Sequence, residues 1–272
     1  MRGLLATAAC LLGLAVVLVV AARGETAGET QTSASGAVTP VELPRGEFVP
    51  VRLGVAFGSE AAAGAPTPEL RRISLEIGDR VRFRGGLPSC PLADLYKEES
   101  PCPGSIVGHG AVASEIAPPG GEPTAVEGSL VAYFNQTHRQ SRVLARVSTG
   151  EPLPVTYVIP FSVKPAVGAY GSELIVRRMS RIVGKCAASH PNCLAQPYTL
   201  KGVYGHISAF RMALDRSFRA NGERRGFVEA RCPAEPSRDQ ATLPLLRAVL
   251  AYADGSEKSP ALPQLCMVDD RA

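Results

Sequence analysis

Alternation of apolar and polar residues runs through most of the chain and predicts β-strands. Residues 49–57 carry Val, Leu or Phe at every second position, with polar or small residues between them. The same period of two recurs in residues 155–163 and 207–220. It indicates strands with one buried face, because successive side chains of a strand point to opposite sides of the sheet. Shorter runs predict further strands in residues 73–77, 81–83, 106–116, 126–134, 143–147, 174–183, 225–232, 245–253 and 265–268.

Turn-forming residues separate these runs. Asn221-Gly222 lies between residues 207–220 and 225–232, and this pair is a strong hairpin signal because both turn positions adopt positive φ. Pro160 falls inside an alternating run. Because proline cannot donate a ladder hydrogen bond, its strand is expected to be bulged or to lie at a sheet edge.

The absence of helical patterning defines the fold class. No segment carries the i, i+3, i+4, i+7 apolar stripe of an amphipathic helix, and no fixed-period repeat is present. The chain has 23 prolines and 27 glycines, which favour many turns. About ten short strands with turns between them predict an all-β fold, an antiparallel β-sandwich or jelly roll. No linker divides residues 47–272, which are expected to form a single domain.

The N-terminus predicts export. An uncharged apolar run, Leu4–Ala22, follows Arg2, as in a secretory signal peptide cleaved after Ala22 or Gly24. An uncleaved membrane anchor is the alternative, because a run of this length can just span a bilayer. Residues 23–46 are rich in Gly, Ser, Thr and Ala and predict a flexible linker. No later segment is apolar enough to predict another contact with a membrane.

The cysteines agree with an oxidising compartment. Six follow the apolar run: Cys90, Cys102, Cys186, Cys193, Cys232 and Cys266. An even number in an exported chain predicts up to three disulfides, and six cysteines allow 15 connectivities. Pairing nearest neighbours gives Cys90–Cys102, Cys186–Cys193 and Cys232–Cys266. A zinc site is not expected, because paired C-x-x-C units are missing.

Charge and aromatic content limit the partners. A formal net charge of +4, 6% aromatic residues and no tryptophan do not fit a nucleic-acid-binding protein. Several arginines could form a patch for an anionic polymer of the cell wall or extracellular space, although a solvated strand face explains them equally well. These arginines are Arg71, Arg72, Arg139, Arg142, Arg146, Arg177, Arg178, Arg224 and Arg225.

Familiar catalytic motifs are missing. There is no Gly-x-Ser-x-Gly elbow, and no two of the four histidines have the spacing of metal ligands. His206 and Ser208 would share a strand face, but a catalytic triad is defined by geometry and not by spacing. Gly108-x-Gly110 lacks the strand-to-helix context of a phosphate-binding loop and predicts a turn. The sequence therefore indicates no catalytic, cofactor-binding or metal-binding residue, and no cofactor.

Three stretches carry a family resemblance. Residues 71–90 (RRISLEIGDRVRFRGGLPSC) end a charged β-run on Gly-Leu-Pro-x-Cys, and residues 170–217 and 226–266 continue the pattern of strands and cysteines. This pattern resembles a group of secreted, uncharacterised proteins of high-GC actinobacteria. The resemblance covers most of the chain after residue 48 and implies a β-rich, disulfide-containing, exported protein. It implies no activity, and the segment with Cys186 and Cys193 departs from it.

The sequence is compatible with two functions. The first is an exported, non-catalytic β-sandwich protein that binds a ligand or belongs to the bacterial cell envelope. The alternative is a secreted hydrolase, for example a carbohydrate-active one, on a jelly-roll scaffold. A cleft with two carboxylates roughly 5–10 Å apart would favour the hydrolase. A filled core without a convergent polar pocket would favour binding or a structural role.

Overall fold

The all-β, antiparallel class is confirmed. The computed structural model describes residues 20–23, 30–61, 69–97, 101–117, 124–137, 140–151, 153–179, 184–186 and 204–269. These ranges contain two short 3-10 helices, Leu92–Tyr96 and Pro103–Ser105, and twenty strands, more than the ten or so expected. Within them, no helix has the length and apolar character needed to cross a membrane.

The strands are numbered in chain order. They are β1 (Val20–Arg23), β2 (Thr30–Thr39), β3 (Glu42–Leu43), β4 (Val49–Pro50), β5 (Arg52–Ala61), β6 (Leu70–Gly78), β7 (Val81–Phe83), β8 (Ile106–Ala117), β9 (Thr124–Thr137), β10 (Gln140–Thr149), β11 (Val155–Pro165), β12 (Tyr170–Val176), β13 (Gly184–Cys186), β14 (Tyr204–Leu214), β15 (Ser217–Ala220), β16 (Glu223–Gly226), β17 (Val228–Ala230), β18 (Gln240–Tyr252), β19 (Glu257–Lys258) and β20 (Ala261–Val268).

One large sheet dominates the fold. Its strand order is β1-β2-β5-β14-β8-β9-β10-β11-β12-β6-β18-β20-β3, with β13 beside β11 and β19 beside β18. Only the short β20–β3 pairing is parallel among the described pairs. Two smaller sheets have the orders β4-β17-β7 and β15-β16.

The large sheet is barrel-like, and side chains join its two ends. The Val38 N–H on β2 donates to Gln264 Oε1 on β20 at 2.6 Å, and Gln264 Nε2 donates to the Val38 carbonyl at 2.8 Å. Inside, the Tyr252 hydroxyl on β18 donates to Ser59 on β5 and bonds to Thr32 on β2, both at 3.2 Å. These side-chain hydrogen bonds, and not a backbone ladder, connect strands from opposite ends of the sheet order.

Apolar side chains fill the interior. Phe57 on β5 stacks on Phe210 on β14 with ring centroids 5.2 Å apart, and Phe161 on β11 packs against Phe210 at 5.7 Å. The two halves of the curled sheet therefore face each other across a packed core, much as two sheets of a sandwich do. Fully burying one such side chain contributes about 1.5–3 kcal/mol.

A second, smaller core lies on the outer side of β9, β10 and β11. Tyr133, Leu144 and Val158 point outward from these strands and pack against Cys90 and Leu95 of the irregular segment before β8. This segment is tied down by its own disulfide, Cys90–Cys102. The covering segment makes the outer face of this part of the sheet inaccessible to a partner.

Two of the three predicted disulfides are present. Cys90–Cys102 and Cys232–Cys266 have Cα atoms 5.7 and 5.8 Å apart. The second links the segment after β17 to β20. The Cys186–Cys193 prediction involves residue 193, which lies outside the described residues.

The linker prediction for residues 23–46 is wrong for β2 and β3. β2 pairs with β5 along its whole length, from Thr30↔Ala61 to Thr39↔Arg52. Ala34, Val38 and Leu43 are buried. The segment is a strand because its small inward residues alternate with polar outward ones, although its Gly, Ser and Thr content is typical of linkers.

The prediction of one strand over residues 207–220 is also wrong, because β14 ends at Leu214 and β15 begins at Ser217. The predicted turn that follows is confirmed. Asn221 and Gly222 have φ angles of 53° and 83° and join β15 to β16. Both angles lie in the left-handed region that this hairpin turn requires.

Pro160 lies in a part of β11 that has a neighbouring strand on one side only. It pairs with Leu144 on the β10 side. On the other side of β11, β13 pairs with Val155–Tyr157 and β12 with Ser162–Pro165. Pro160 thus lies where no described strand pairs on that side, so its missing N–H breaks no ladder there.

Candidate functional site

Small side chains form the outer face of five neighbouring strands, β2, β5, β14, β8 and β9. Strand register aligns them in rows that cross the sheet. The central row is Ser35, Ala56, Arg211, Ala111 and Ser129. The rows on either side are Ser33, Gly58, Ala209, Ala113 and Glu127, and Ala37, Gly54, Ala213, His109 and Val131.

These rows form a continuous open groove, which we call the outer groove. Its larger part has a volume of about 860 Å³ and its smaller part about 460 Å³. The two parts share Ser35, Ala56, Gly110 and Arg211. The groove exists because Gly, Ala and Ser side chains leave the space that larger side chains would occupy on an ordinary outer face.

Gly108 and Gly110 allow β8 and β14 to lie close together beneath the outer groove. A Cβ atom at Gly110 would lie 2.0 Å from the Arg211 carbonyl oxygen, and one at Gly108 would lie 2.0 Å from that of Ala213. Only glycine therefore allows β8 and β14 to approach this closely. The prediction that Gly108-x-Gly110 is a turn is wrong, because both glycines lie within β8.

The charges of the outer groove are separated along its length. Arg52 and His109 line its smaller part, whereas Glu60 and Glu127 line its larger part. Arg211 lies where the two parts meet. The groove therefore has a basic end and an acidic end, with a guanidinium between them.

Arg211 is the charge at the centre of the outer groove, where its two parts meet. It is exposed, and it makes no hydrogen bond or ion pair with any other residue that the structure describes. Its neighbours in register, Ala56 and Ala111, have no polar side-chain atoms. All five N–H donors of its guanidinium are thus available to a ligand, in the planar arrangement that suits carboxylate or phosphate oxygens.

Arginines on the opposite half of the sheet are used differently. Arg247 on β18 pairs with Glu76 on β6 and also lies over the Tyr170 ring, 4.9 Å from its centroid. Arg72 on β6 pairs with Glu257 at 2.7 Å. Arg247 and Arg72 are therefore neutralised within the chain, whereas no described residue neutralises Arg211.

A buried carboxylate, Glu229 on β17, forms the other notable polar cluster. Its Oε2 accepts hydrogen bonds from Arg82 Nε and Nη2, at 3.0 and 2.7 Å, and from Arg84 Nε at 2.9 Å. The Arg82 guanidinium also lies over the Phe48 ring, 3.8 Å from its centroid.

Two arginines determine the charge state of Glu229. Burial by itself would raise its pKa, but hydrogen bonds from Arg84 and Arg82, and their positive charge, bring the pKa below its ordinary value. A carboxylate held ionised by two guanidinium groups is a poor proton acceptor or nucleophile. We therefore assign Glu229 a structural role in joining β17 to β7.

The predicted basic patch is distributed over several elements. Arg142 and Arg146 lie on β10, where Arg142 donates to Gln140 and Arg146 to the Leu95 carbonyl. Arg225 pairs with Glu223 in the separate β15–β16 sheet. Arg71 and Arg72 on β6 lie next to Arg177 and Arg178, which follow β12, because Ile73 pairs with Val176. Arg139 is outside the described residues.

The side chain of His206 lies outside the described part of the structure, so the predicted face relation of His206 and Ser208 stays a prediction. The register of β14 with β8 shifts between Ile207 and Ala209. Among the described residues, no group of three or more His, Cys, Asp or Glu is arranged to hold a metal ion.

Arg211, His109 and Glu127 are the groove residues that the sequence analysis did not predict. The repeated Gly, Ala and Ser on one face of β5, β8 and β14 was the available signal.

Comparison with known proteins finds no matching family model, no matching curated protein and no matching solved structure.

Proposed function

We propose that this chain is an exported, non-catalytic binding protein that holds an extended anionic polymer of the cell wall or extracellular space in its outer groove. The observation that carries the proposal is Arg211, an exposed and unpaired cation in the middle of a floor of small residues. A charged side chain that no described group neutralises is available to bind an oppositely charged ligand.

The shape of the groove favours a chain-like ligand. It crosses five adjacent strands. At about 4.8 Å between neighbours, the strands span roughly 19 Å, which several residues of an extended polymer would fill. The floor of Gly, Ala and Ser lets such a chain lie close to the sheet without displacing side chains.

The chemistry of the lining favours an anion over a neutral sugar chain. Sugars commonly stack on exposed aromatic rings, but Phe57 and Phe210, the aromatic residues of the groove lining, are buried. Arg52 and His109 at one end, and Arg211 in the middle, supply positive charge or hydrogen-bond donors. Carboxylate, sulfate or phosphate groups of a polymer match these donors.

The spacing of the acidic residues favours binding over glycoside hydrolysis. Glu60 and Glu127 line the same part of the groove, which makes them the carboxylate pair to consider for a hydrolase. They lie on β5 and β9, which are three strand spacings apart in the sheet. Their strands are thus about 14 Å apart, whereas glycosidase carboxylates lie roughly 5–10 Å apart, a separation that these two would reach only by leaning toward each other.

Export is supported by separate observations. Two disulfides lie in the fold, and disulfides persist mainly in oxidising compartments. The apolar run Leu4–Ala22 has the character of a secretory signal. Both features support export and therefore a polymer outside the cytoplasm as the ligand.

An affinity measurement with matched arginine variants tests the proposal. Polygalacturonate serves as the anionic polymer and dextran as the neutral one. Arg211→Ala should weaken polygalacturonate binding by about tenfold or more, because a bond between two charged groups contributes about 1.5–3 kcal/mol. Arg219→Ala removes the same charge from an exposed position on β15 and should change binding less than about twofold.

The comparison of the two variants distinguishes binding at a specific site from general electrostatic attraction to the protein. Equal losses in Arg211→Ala and Arg219→Ala would mean that the polymer responds to net charge alone and would contradict the proposal. Binding of dextran as tight as that of polygalacturonate would contradict the anionic part of it.

A further inference from the structure

One edge of the large sheet lacks the features that usually protect an edge strand. β2, residues Thr30–Thr39, contains no charged residue and no proline. Its ladder with β5 runs over ten residue pairs without a bulge. Long, flat, uncharged edge strands pair readily with another strand, and proteins normally guard against this.

Two parts of this same chain cover the β2 edge. β1 pairs antiparallel with it, from Val20↔Gly36 to Arg23↔Ser33. Further along β2, the Gln264 side chain forms hydrogen bonds with both the N–H and the carbonyl of Val38. The edge is thus protected by a short added strand and by one glutamine, and not by its own sequence.

The edge of β20 that faces β2 is equally open, and we call the space between these two strands the seam. β20 pairs with β18 along one edge, whereas β3 reaches only Met267 and Val268 on the other. No described strand pairs with Ala261–Cys266 on that side. β1 lies against β20 as well as β2, so it occupies the space between them beside Ser33–Gly36.

Apolar side chains border the seam. Leu265 and Met267 on β20 are 51% and 47% exposed, and Val41, whose carbonyl accepts the Met267 N–H, is 45% exposed. These are three of the five large apolar side chains exposed in the described residues. An exposed apolar rim beside an unpaired edge is typical of a surface that binds a partner.

We propose that the seam between β2 and β20 is a strand-accepting site for an extended peptide of small apolar residues from another protein. Val20–Arg23 of β1 is its internal occupant. Backbone hydrogen bonds to Ser33–Gly36 would supply the affinity, as in other cases of strand addition. Leu265 and Met267 would select apolar side chains.

The predicted cleavage of the leader would open the site. Cleavage after Ala22 removes three of the four residues of β1. A second folded copy is a poorer occupant than a peptide, because strands of one sheet bound the seam on both sides and leave room for a single strand. This inference does not rest on polymer binding, which involves the outer face of the sheet and not its edge.

The test displaces β1 in the full chain, held in detergent micelles. Ala21→Pro/Ala22→Pro removes both N–H groups at the centre of β1 and should break its ladder. Ala21→Val/Ala22→Val keeps the ladder and is the matched control. Amide hydrogen exchange at Ala34 and Gly36 should become about tenfold faster in the proline variant alone, because their N–H groups face β1, as that of Val38 faces β20. Exchange in β8 and β9 should not change, which shows that the fold is intact.

The second readout is binding of a labelled peptide with the sequence VVAARGET, which corresponds to residues 19–26. It should bind the proline variant, restore the protection of Ala34 and Gly36 and leave the valine control unbound. Unchanged exchange in the proline variant would overturn the proposal, as would exposure of the edge without peptide binding. A dimer that protects the edge would assign it to a second copy and overturn the peptide as occupant. Polygalacturonate affinity, measured on the same variants, distinguishes failure of this inference from failure of the proposed function.

Discussion

Glu229 and Arg211 illustrate two uses of charge in this protein. Glu229 is fully buried and accepts hydrogen bonds from Arg82 and Arg84, so its charge is compensated inside the fold. Arg211 is exposed on a floor of alanine and glycine and has no partner among the described residues. The first charge holds elements together, whereas the second has donors available for a ligand.

Removal of the Glu229 charge should destabilise the fold. Glu229→Gln leaves two partly buried guanidinium groups without their anion, and we expect the free energy of unfolding to fall by about 2–4 kcal/mol at pH 7. Urea unfolding measures this difference. Glu235→Gln, which changes an exposed carboxylate paired only with Arg238, is the control and should stay within about 0.5 kcal/mol.

The effect of Glu229 should also depend on pH. Because the folded protein lowers the pKa of this carboxyl, its stabilisation is complete above the pKa of the unfolded chain and is lost as the pH falls through the folded value. The stability difference between wild type and Glu229→Gln should therefore shrink in acid. A difference that is the same at pH 7 and pH 3 would show that the ion pairs do not account for it.

The roles of these two residues could not be predicted from the sequence. Alternation correctly places Arg211 on the outer face of β14, opposite Phe210 and Met212. Its neighbours Ala56 and Ala111, however, are more than 90 residues away along the chain, and only the strand order β5-β14-β8 brings them together. Whether a cation is paired depends on such distant neighbours.

At the scale of elements, β2 shows where composition and periodicity disagree. Its Ser, Thr and Gly content predicts a linker, yet inward Thr32, Ala34, Gly36 and Val38 alternate with outward residues. The alternation is hard to recognise because most of the inward residues are small or polar. By contrast, the turn at Asn221-Gly222 was predictable, since its signal lies in two adjacent residues.

The closure of the sheet at Gln264 is testable by substitution. Gln264→Ala leaves the Val38 N–H and carbonyl without their partner, and each unsatisfied buried group costs about 1–3 kcal/mol. We expect a loss of about 2–4 kcal/mol in urea unfolding, together with faster amide exchange at Val38. The control is Gln31→Ala, which removes an exposed glutamine from β2, the strand of Val38, and should change neither quantity. Equal effects of the two variants would mean that Gln264 does not close the sheet.

At the scale of the whole molecule, the fold class was predictable and the sheet order was not. Alternation and turns identify antiparallel strands, because both are local properties of the sequence. The pairing of β6 with β18, and the meeting of β2 with β20, join residues at opposite ends of the chain. Cys232–Cys266 and Cys90–Cys102 were predictable because each joins cysteines that are neighbours in sequence.

This nonlocal order creates the outer groove, so the groove is a property of the folded molecule. β2, β5, β14, β8 and β9 come from three separate parts of the chain and present their small residues together only when the sheet is complete. We propose that an anionic polymer occupies this surface.

Mapping of amide exchange with and without polygalacturonate tests that claim most directly. The polymer should slow exchange in residues 54–58, 109–113 and 209–213. Arg211→Ala should remove this protection, whereas Arg219→Ala should keep it. Protection confined to the arginine-rich hairpin formed by β15 and β16, or to the Arg71, Arg72, Arg177 and Arg178 region, would contradict the account.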